Sequence, residues 1–311
     1  MKNAGLKTGF RRCIGFSVIL VFLFSFLFLG GSHAQQEKPF STVAVITKEE
    51  FGGALSEPSA LFFDESKKRL YVSDALNNRL VSYDEEFRFL SELSDKEFSL
   101  PMGVVKTPDG DFLTVDGKKA EMKLIDVKNK IVKPFAIKGL PGGREIFVPG
   151  RFTMDDSGMF YVIDRLNKRI VVIARDGTFL RAVSPDSIGD FHGFNDVRVD
   201  DAGWVYAVDT LGRTVYVFDD KGGVAARFGG GKTGLKFPVS IAVNKSGLIY
   251  VLDRHAGQIL VFDRDGRIQY TISRRGMGRG GLYNPTYIFL DAGGRIYTID
   301  GARVQVFEEG E

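Results

Sequence analysis

Few side chains in this 311-residue chain have the kinds and spacing that chemistry demands. Cys13 is the only cysteine and precedes an apolar run (14–31); His33 follows that run, which leaves His192 and His255 far apart downstream. A catalytic zinc commonly draws on about three protein ligands with histidines among them, so two isolated histidines match it poorly. No Gly-x-Ser-x-Gly or comparable nucleophile motif occurs. Gly-x-Gly spacing is present in 276–281 and 229–231, but a dinucleotide fingerprint needs a strand before it and a helix after it. Here the strand-like Tyr287-Ile288-Phe289-Leu290 follows instead, so these glycines are expected to serve tight connections. What does recur is a carboxylate: Asp74, Asp116, Asp164, Asp209, Asp253 and Asp300, at intervals of 42, 48, 45, 44 and 47 residues. Each closes an apolar run at a turn, where aspartate accepts backbone N–H groups. A group repeated in every copy is scaffold, whereas a site breaks symmetry; Arg79, Arg169 and Arg303 are expected to pair with these aspartates or with turn carbonyls.

The runs that end in these aspartates fit one template, Gly-x-Ile-Tyr-Val-x-Asp, at 70–74, 110–116, 158–164, 203–209, 247–253 and 294–300. β-Branched and aromatic residues in runs of this length, bounded by Gly, Asn and Asp, predict antiparallel strands and tight turns. A leading strand about ten residues upstream opens with Pro58, Pro101, Pro149, Pro238 or Pro285, and with Phe194 in the fourth copy. Proline at a strand's first residue costs no ladder hydrogen bond. A third strand and a weaker fourth follow each template, so each copy is a small sheet that needs neighbours on both faces. A period in the forties made of strands predicts propeller blades. The sixth copy ends after three strands, and 41–46 belongs to no complete blade; that segment is expected to supply the missing outer strand and close the ring.

The first 34 residues predict export. Lys2, Lys7, Arg11 and Arg12 precede the apolar run, and Ser32-His33-Ala34 offers the small-x-small pattern a signal peptidase accepts. The alternative is an uncleaved anchor, since spanning a bilayer takes about 20 apolar residues. Residues 1–34 are therefore expected to be a signal peptide or membrane anchor, and 35–311 a single propeller in the periplasm or outside the cell, with a tether to the inner membrane if the segment stays. Loss of four positive charges turns the formal +3 into −1, which removes the electrostatic support for nucleic-acid binding. Any membrane contact is expected through 14–31 alone. The exported part has no cysteine, so no disulfide or thiolate site is open to it.

The pattern Pro-x-x-Ile-x-Val-(Asp)-x-x-Gly-x-Ile-Tyr-Val-x-Asp-x-x-x-x-Arg-Ile-x-Val-Phe-Asp resembles the NHL-repeat family of β-propellers. The second copy departs furthest from it, with Leu113 for the tyrosine and Glu121 for the arginine. The resemblance implies an all-β, six-bladed propeller; it does not imply one activity. Propeller lyases with this repeat use a histidine-ligated metal in the central channel, which His192 and His255 match poorly. A hydrolase of the gluconolactonase kind would hold a divalent metal such as calcium with Glu, Asn and Asp at the channel mouth. Glu57, Asn195, Asp196 and Asn284 are the candidates for that alternative.

The loops give a better lead. In a four-stranded blade, loops entering the first strand and loops joining the second to the third share one face. On that face the copies diverge, at 138–145, 186–192 and 274–277, and repeat proteins bind through such variable loops. Two residues after the opening position the copies carry Ala60, Gly103, Arg151, Asp196, Ser240 and Tyr287. Arg151, Asp196 and Tyr287 are expected to be asymmetric contacts near the axis, with Arg165, His192, Arg254, His255, Arg274 and Arg275 around them. The expectation is a monomeric, non-catalytic module without cofactor that recognises a protein or extracellular polymer; the alternative is a metal-dependent lactonase or lyase using Glu57, His192, Asn195 and Asp196.

Overall fold

The computed structural model describes residues 36–37, 40–49, 53–141, 146–185, 189–231 and 233–310. The expected export segment, Asp186 and Lys232 lie outside the described residues.

Each copy of the repeat forms a four-stranded antiparallel sheet in chain order. The first comprises Pro58–Asp64, Arg69–Asp74, Arg79–Tyr83 and Phe89–Ser94. Four equivalent sheets follow, with inner strands Pro101–Lys106, Pro149–Met154, Asp196–Val199 and Pro238–Val243. The sixth contributes Pro285–Leu290, Ile296–Asp300 and Arg303–Glu309, and its outer strand is Phe40–Ile46 from the start of the chain. That strand runs antiparallel to Arg303–Glu309, with Thr42 opposite Phe307 and Ile46 opposite Val304. Arg279 clips it further, donating to the carbonyls of Thr42 and, at 3.0 Å, Val43. The chain is thus an all-β, six-bladed propeller whose last blade is completed by the N-terminal strand. One pairing was not expected: Gln36–Glu37 adds a short parallel strand to Tyr270 and Thr271 at the outer edge of the fifth blade.

Alternating residues of each strand point to the two neighbouring blades, and the core is therefore a ring of inter-blade clusters. Tyr297 and Ile299 of the sixth blade meet Leu61 and Val72 of the first in the same cluster as Phe112 and Ile125 of the second. Leu113 and Val115 pack on Val162 and Val171, and Tyr206 and Val217 pack on Ile241 and Val251. Fully burying one such side chain contributes roughly 1.5–3 kcal/mol, so a blade gains most of its stability from the blades beside it.

The repeated aspartates are buried and do more than cap their own turns. Asp74 accepts from Ser56 N at 2.7 Å, Asn77 Nδ2 at 2.8 Å and Arg79 Nε at 2.7 Å. Asp116, Asp164, Asp209, Asp253 and Asp300 likewise take a backbone N–H from the loop that enters their blade. Each carboxylate therefore ties the turn between the second and third strands to the entering loop, which places both on one face. Arg169 and Arg303 pair with Asp164 and Asp300 at 3.1 and 2.6 Å, the role expected of them.

A β-bulge follows the opening proline of several inner strands. Register shifts between Pro238 and Ser240 and between Pro285 and Tyr287 take Val239 and Thr286 out of the ladder. A bulge leaves its extra residue unpaired, so these two carbonyls need other donors.

Candidate functional site

Those donors come from across the ring. Arg151, on the third blade, donates to Val239 O at 2.9 Å and to Thr286 O at 2.7 Å, on the fifth and sixth blades. Arg198, on the fourth, donates to Ile288 O at 3.0 Å and to Asp196 Oδ1 at 2.9 Å. The second oxygen of Asp196 accepts from Ser240 Oγ and, at 3.1 Å, from Ile241 N; Arg151 stands 3.7 Å from it. Tyr287 carries both guanidiniums against its ring, at 5.1 Å for Arg151 and 5.0 Å for Arg198. Burial pushes the Tyr287 phenol above its ordinary range, partly offset by the cation of Arg198. Burial also works against the charge of Arg198, but Asp196 and Tyr287 together outweigh it and hold the guanidinium above its usual range.

The structure thus brings Arg151, Asp196 and Tyr287 together near the axis, as their spacing suggested, but turns them toward each other. Asp196 is 0% and Tyr287 6% exposed, so neither can meet a macromolecule from solution; only Arg151 retains partial exposure, 18% of its side chain. Arg198 is the member that sequence reasoning missed. It lies two residues after Asp196 within the strand, and the 196/198 alternation that puts both on one side was the available signal.

The remaining candidates line the loop-rich face. Arg165 is exposed on the third blade, and Arg274 and Arg275 are exposed on the loop entering the sixth. His255 stacks on Phe237 with centroids 4.3 Å apart and accepts at its carbonyl from Arg275, while Arg254 donates to Asn284 Oδ1 at 2.6 Å. His192 belongs to another blade, its Nδ1 3.7 Å from Asp209. The two histidines therefore occupy separate surroundings. The residues considered for a cation are already committed: Asp196 as above, Asn195 donates its amide to Val239 O at 2.6 Å, and Asn284 accepts from Arg254. Glu57 is exposed at a positive φ of 50° beside the first inner strand. These residues do not fit a cation as placed, because a metal on Asp196 would have to displace Arg198. Among the described residues no group of three His, Cys, Asp or Glu side chains could hold a metal ion.

The turns between second and third strands show a pattern that was not foreseen. Their charged residues are Lys118, Lys119, Arg165, Lys168, Arg213 and Arg254, with no carboxylate among the turn residues that follow the buried aspartates. At the same turn position, two after the aspartate, stand Leu76, Leu166 and Leu211, the last 66% exposed. Ile146, Met277 and Tyr283 are exposed on the entering loops of the same face. On the opposite face, Asp156, Asp200, Asp201, Asp291 and Glu65, with Lys245 and Arg264, line a cavity of about 650 Å³. The turn charges on the first face are thus all positive, whereas carboxylates outnumber cations around the cavity on the other.

Residues 236–308, the fifth and sixth blades, match the model of a family described as a 6-bladed beta-propeller. The fold is shared; the chemistry is another matter. The chain is 27% identical over 193 residues to NHL repeat-containing protein 3 of Mus musculus, covering 55% of each chain. It spans about half the length of that curated relative. Among solved structures it resembles a virginiamycin B lyase of Staphylococcus aureus, at TM-score 0.61 and 13% identity over 86% of this chain and 99% of that one. It also resembles an auxiliary nutrient binding protein of Bacteroides ovatus, at TM-score 0.65 and 16% identity over 88% and 78%. At such identities these likenesses carry the fold alone.

Proposed function

We propose that this chain is an exported, non-catalytic propeller that holds a protein or an extracellular polymer against its loop-rich face. The observation that carries this reading is the set of exposed leucines at equivalent turn tips, Leu76, Leu166 and Leu211, among turns whose only charges are positive. Repeat proteins bind through the variable loops of one face, and on this face the exposed leucines are joined by Ile146, Met277 and Tyr283. The first, third and fourth blades are spread around the ring, so a broad partner can touch all three leucines at once. The cations give that partner an acidic character.

The test is capture from the native envelope by the wild-type chain and by a Leu166→Ser/Leu211→Ser variant. The wild type should retain a partner that the variant loses, and a variant that captures the same partner equally well would remove this face from consideration.

The alternative reading is a metal-dependent lyase or lactonase, which would need metal ligands other than Asn195, Asp196 and Asn284 as placed. Under it, metal analysis of the purified protein returns a stoichiometric divalent ion whose removal abolishes activity; under the binding reading, capture is unchanged by a chelator.

A further inference from the structure

The first blade breaks the repeat at its tyrosine. In four blades this residue is buried, and its hydroxyl bonds the Asp or Asn six residues earlier: Tyr161 to Asp155, Tyr206 to Asp200, Tyr250 to Asn244 and Tyr297 to Asp291. Tyr71 is only half-buried, follows Glu65 at that spacing, and its hydroxyl has no hydrogen-bond partner among the described residues. Its ring leans on Phe112 of the second blade at a centroid distance of 4.7 Å. Together they line a cleft of about 470 Å³ between the two blades, walled also by Leu80, Leu93 and Ile125. The gap has a local cause: Ile131–Pro134, the outer strand of the second blade, has four residues and is the shortest of the six outer strands. That sheet ends before it can cover its neighbour.

Arg69 also lines this cleft. Its Nε is buried without an acceptor, and no carboxylate pairs with the guanidinium among the described residues. Three carboxylates also line the cleft, and each is engaged elsewhere. Glu92 binds Arg79 at 2.6 Å, Asp95 accepts from Glu97 N at 2.8 Å, and Asp126 accepts from Asn129. A buried polar group without a partner is costly and calls for an explanation. An arginine fork beside an apolar wall in a mixed cleft matches a planar anion attached to an apolar body, and the volume falls in the range of small-molecule sites, roughly 300–1,000 Å³.

We propose that the cleft between the first and second blades binds a small amphipathic carboxylate, with its apolar part against Tyr71, Phe112 and Leu93 and its anionic group on Arg69. The site lies at the rim between two blades and does not rest on the function proposed above. The experiment is calorimetric titration of the full chain with phenylbutyrate and with its neutral amide, phenylbutyramide. The carboxylate should bind saturably, and the amide at least about tenfold more weakly, as expected for a lost charged hydrogen bond. Arg69→Met should bind both equally weakly while Arg69→Lys recovers part of the preference. Equal binding of acid and amide by the wild type, no saturable binding of either in the millimolar range, or undiminished phenylbutyrate binding by Arg69→Met would each overturn the assignment. The comparison of acid and amide needs no variant, so it stands even if Arg69→Met fails to fold.

Discussion

The guanidinium of Arg151 and the carbonyl of Thr286 lie 2.7 Å apart and join the third blade to the sixth across the axis of the ring. In a ring of six these are opposite members, so the bond spans the channel. It exists because a bulge freed the Thr286 carbonyl from its ladder and because a long side chain at the position two after Pro149 can reach it. With Arg198 and Tyr287 beside it, the channel is braced by protein groups at this level.

Arg151→Met should therefore lower stability by about 1–3 kcal/mol, since the Thr286 carbonyl loses its donor while Val239 O keeps Asn195. Arg198→Met should cost roughly 3–5 kcal/mol, because it strips the direct partner from a buried carboxylate. Denaturant midpoints of the two variants check this order, and equal small effects would show that the brace is idle.

The contact between the first and second blades has a pH dependence of definite sign. Burial alone would raise the Asp64 carboxyl, yet the bonds from Lys106, Ser66 and Lys67 hold it below its ordinary 3.8. A carboxyl lowered on folding stabilises the fold above its unfolded pKa, and that contribution is lost as pH falls through the folded value. Asp64→Asn should accordingly be less stable than the wild type near about pH 7, with a smaller gap near about pH 3. A gap of the same size at both pH values would contradict this.

Closure by Phe40–Ile46 makes the ring one cooperative unit. Deleting 41–46 strips the sixth blade of its outer strand and should abolish a single sharp melting transition, read by calorimetry. An unchanged transition would mean that the strand is dispensable.

Much of this fold was legible in the chain. Six copies of Gly-x-Ile-Tyr-Val-x-Asp, the opening prolines, and the missing fourth strand of the last copy carry blade number and closure, because strand alternation and turn chemistry are local properties. What lies near the axis was legible only in part. Arg151, Asp196 and Tyr287 stand out by breaking the repeat, but their meeting depends on opposite blades converging within side-chain reach, which no local period encodes. Read alone, they suggest contacts for a partner; in the fold they satisfy bulge carbonyls and one another, with Arg198 as the unseen fourth. Leu76, Leu166 and Leu211 were hidden for a different reason. A single leucine in a turn is unremarkable until the ring sets all three on one face.

Lysine cross-linking in the native envelope, read by mass spectrometry, puts the binding face to the most direct trial. Lys118, Lys119 and Lys168 stand on the turns beside the leucines, whereas Lys67, Lys128, Lys221 and Lys245 stand on the opposite side. Links to other molecules should concentrate on the first three. Links that fall mainly on Lys67, Lys128, Lys221 and Lys245 would contradict the proposed face.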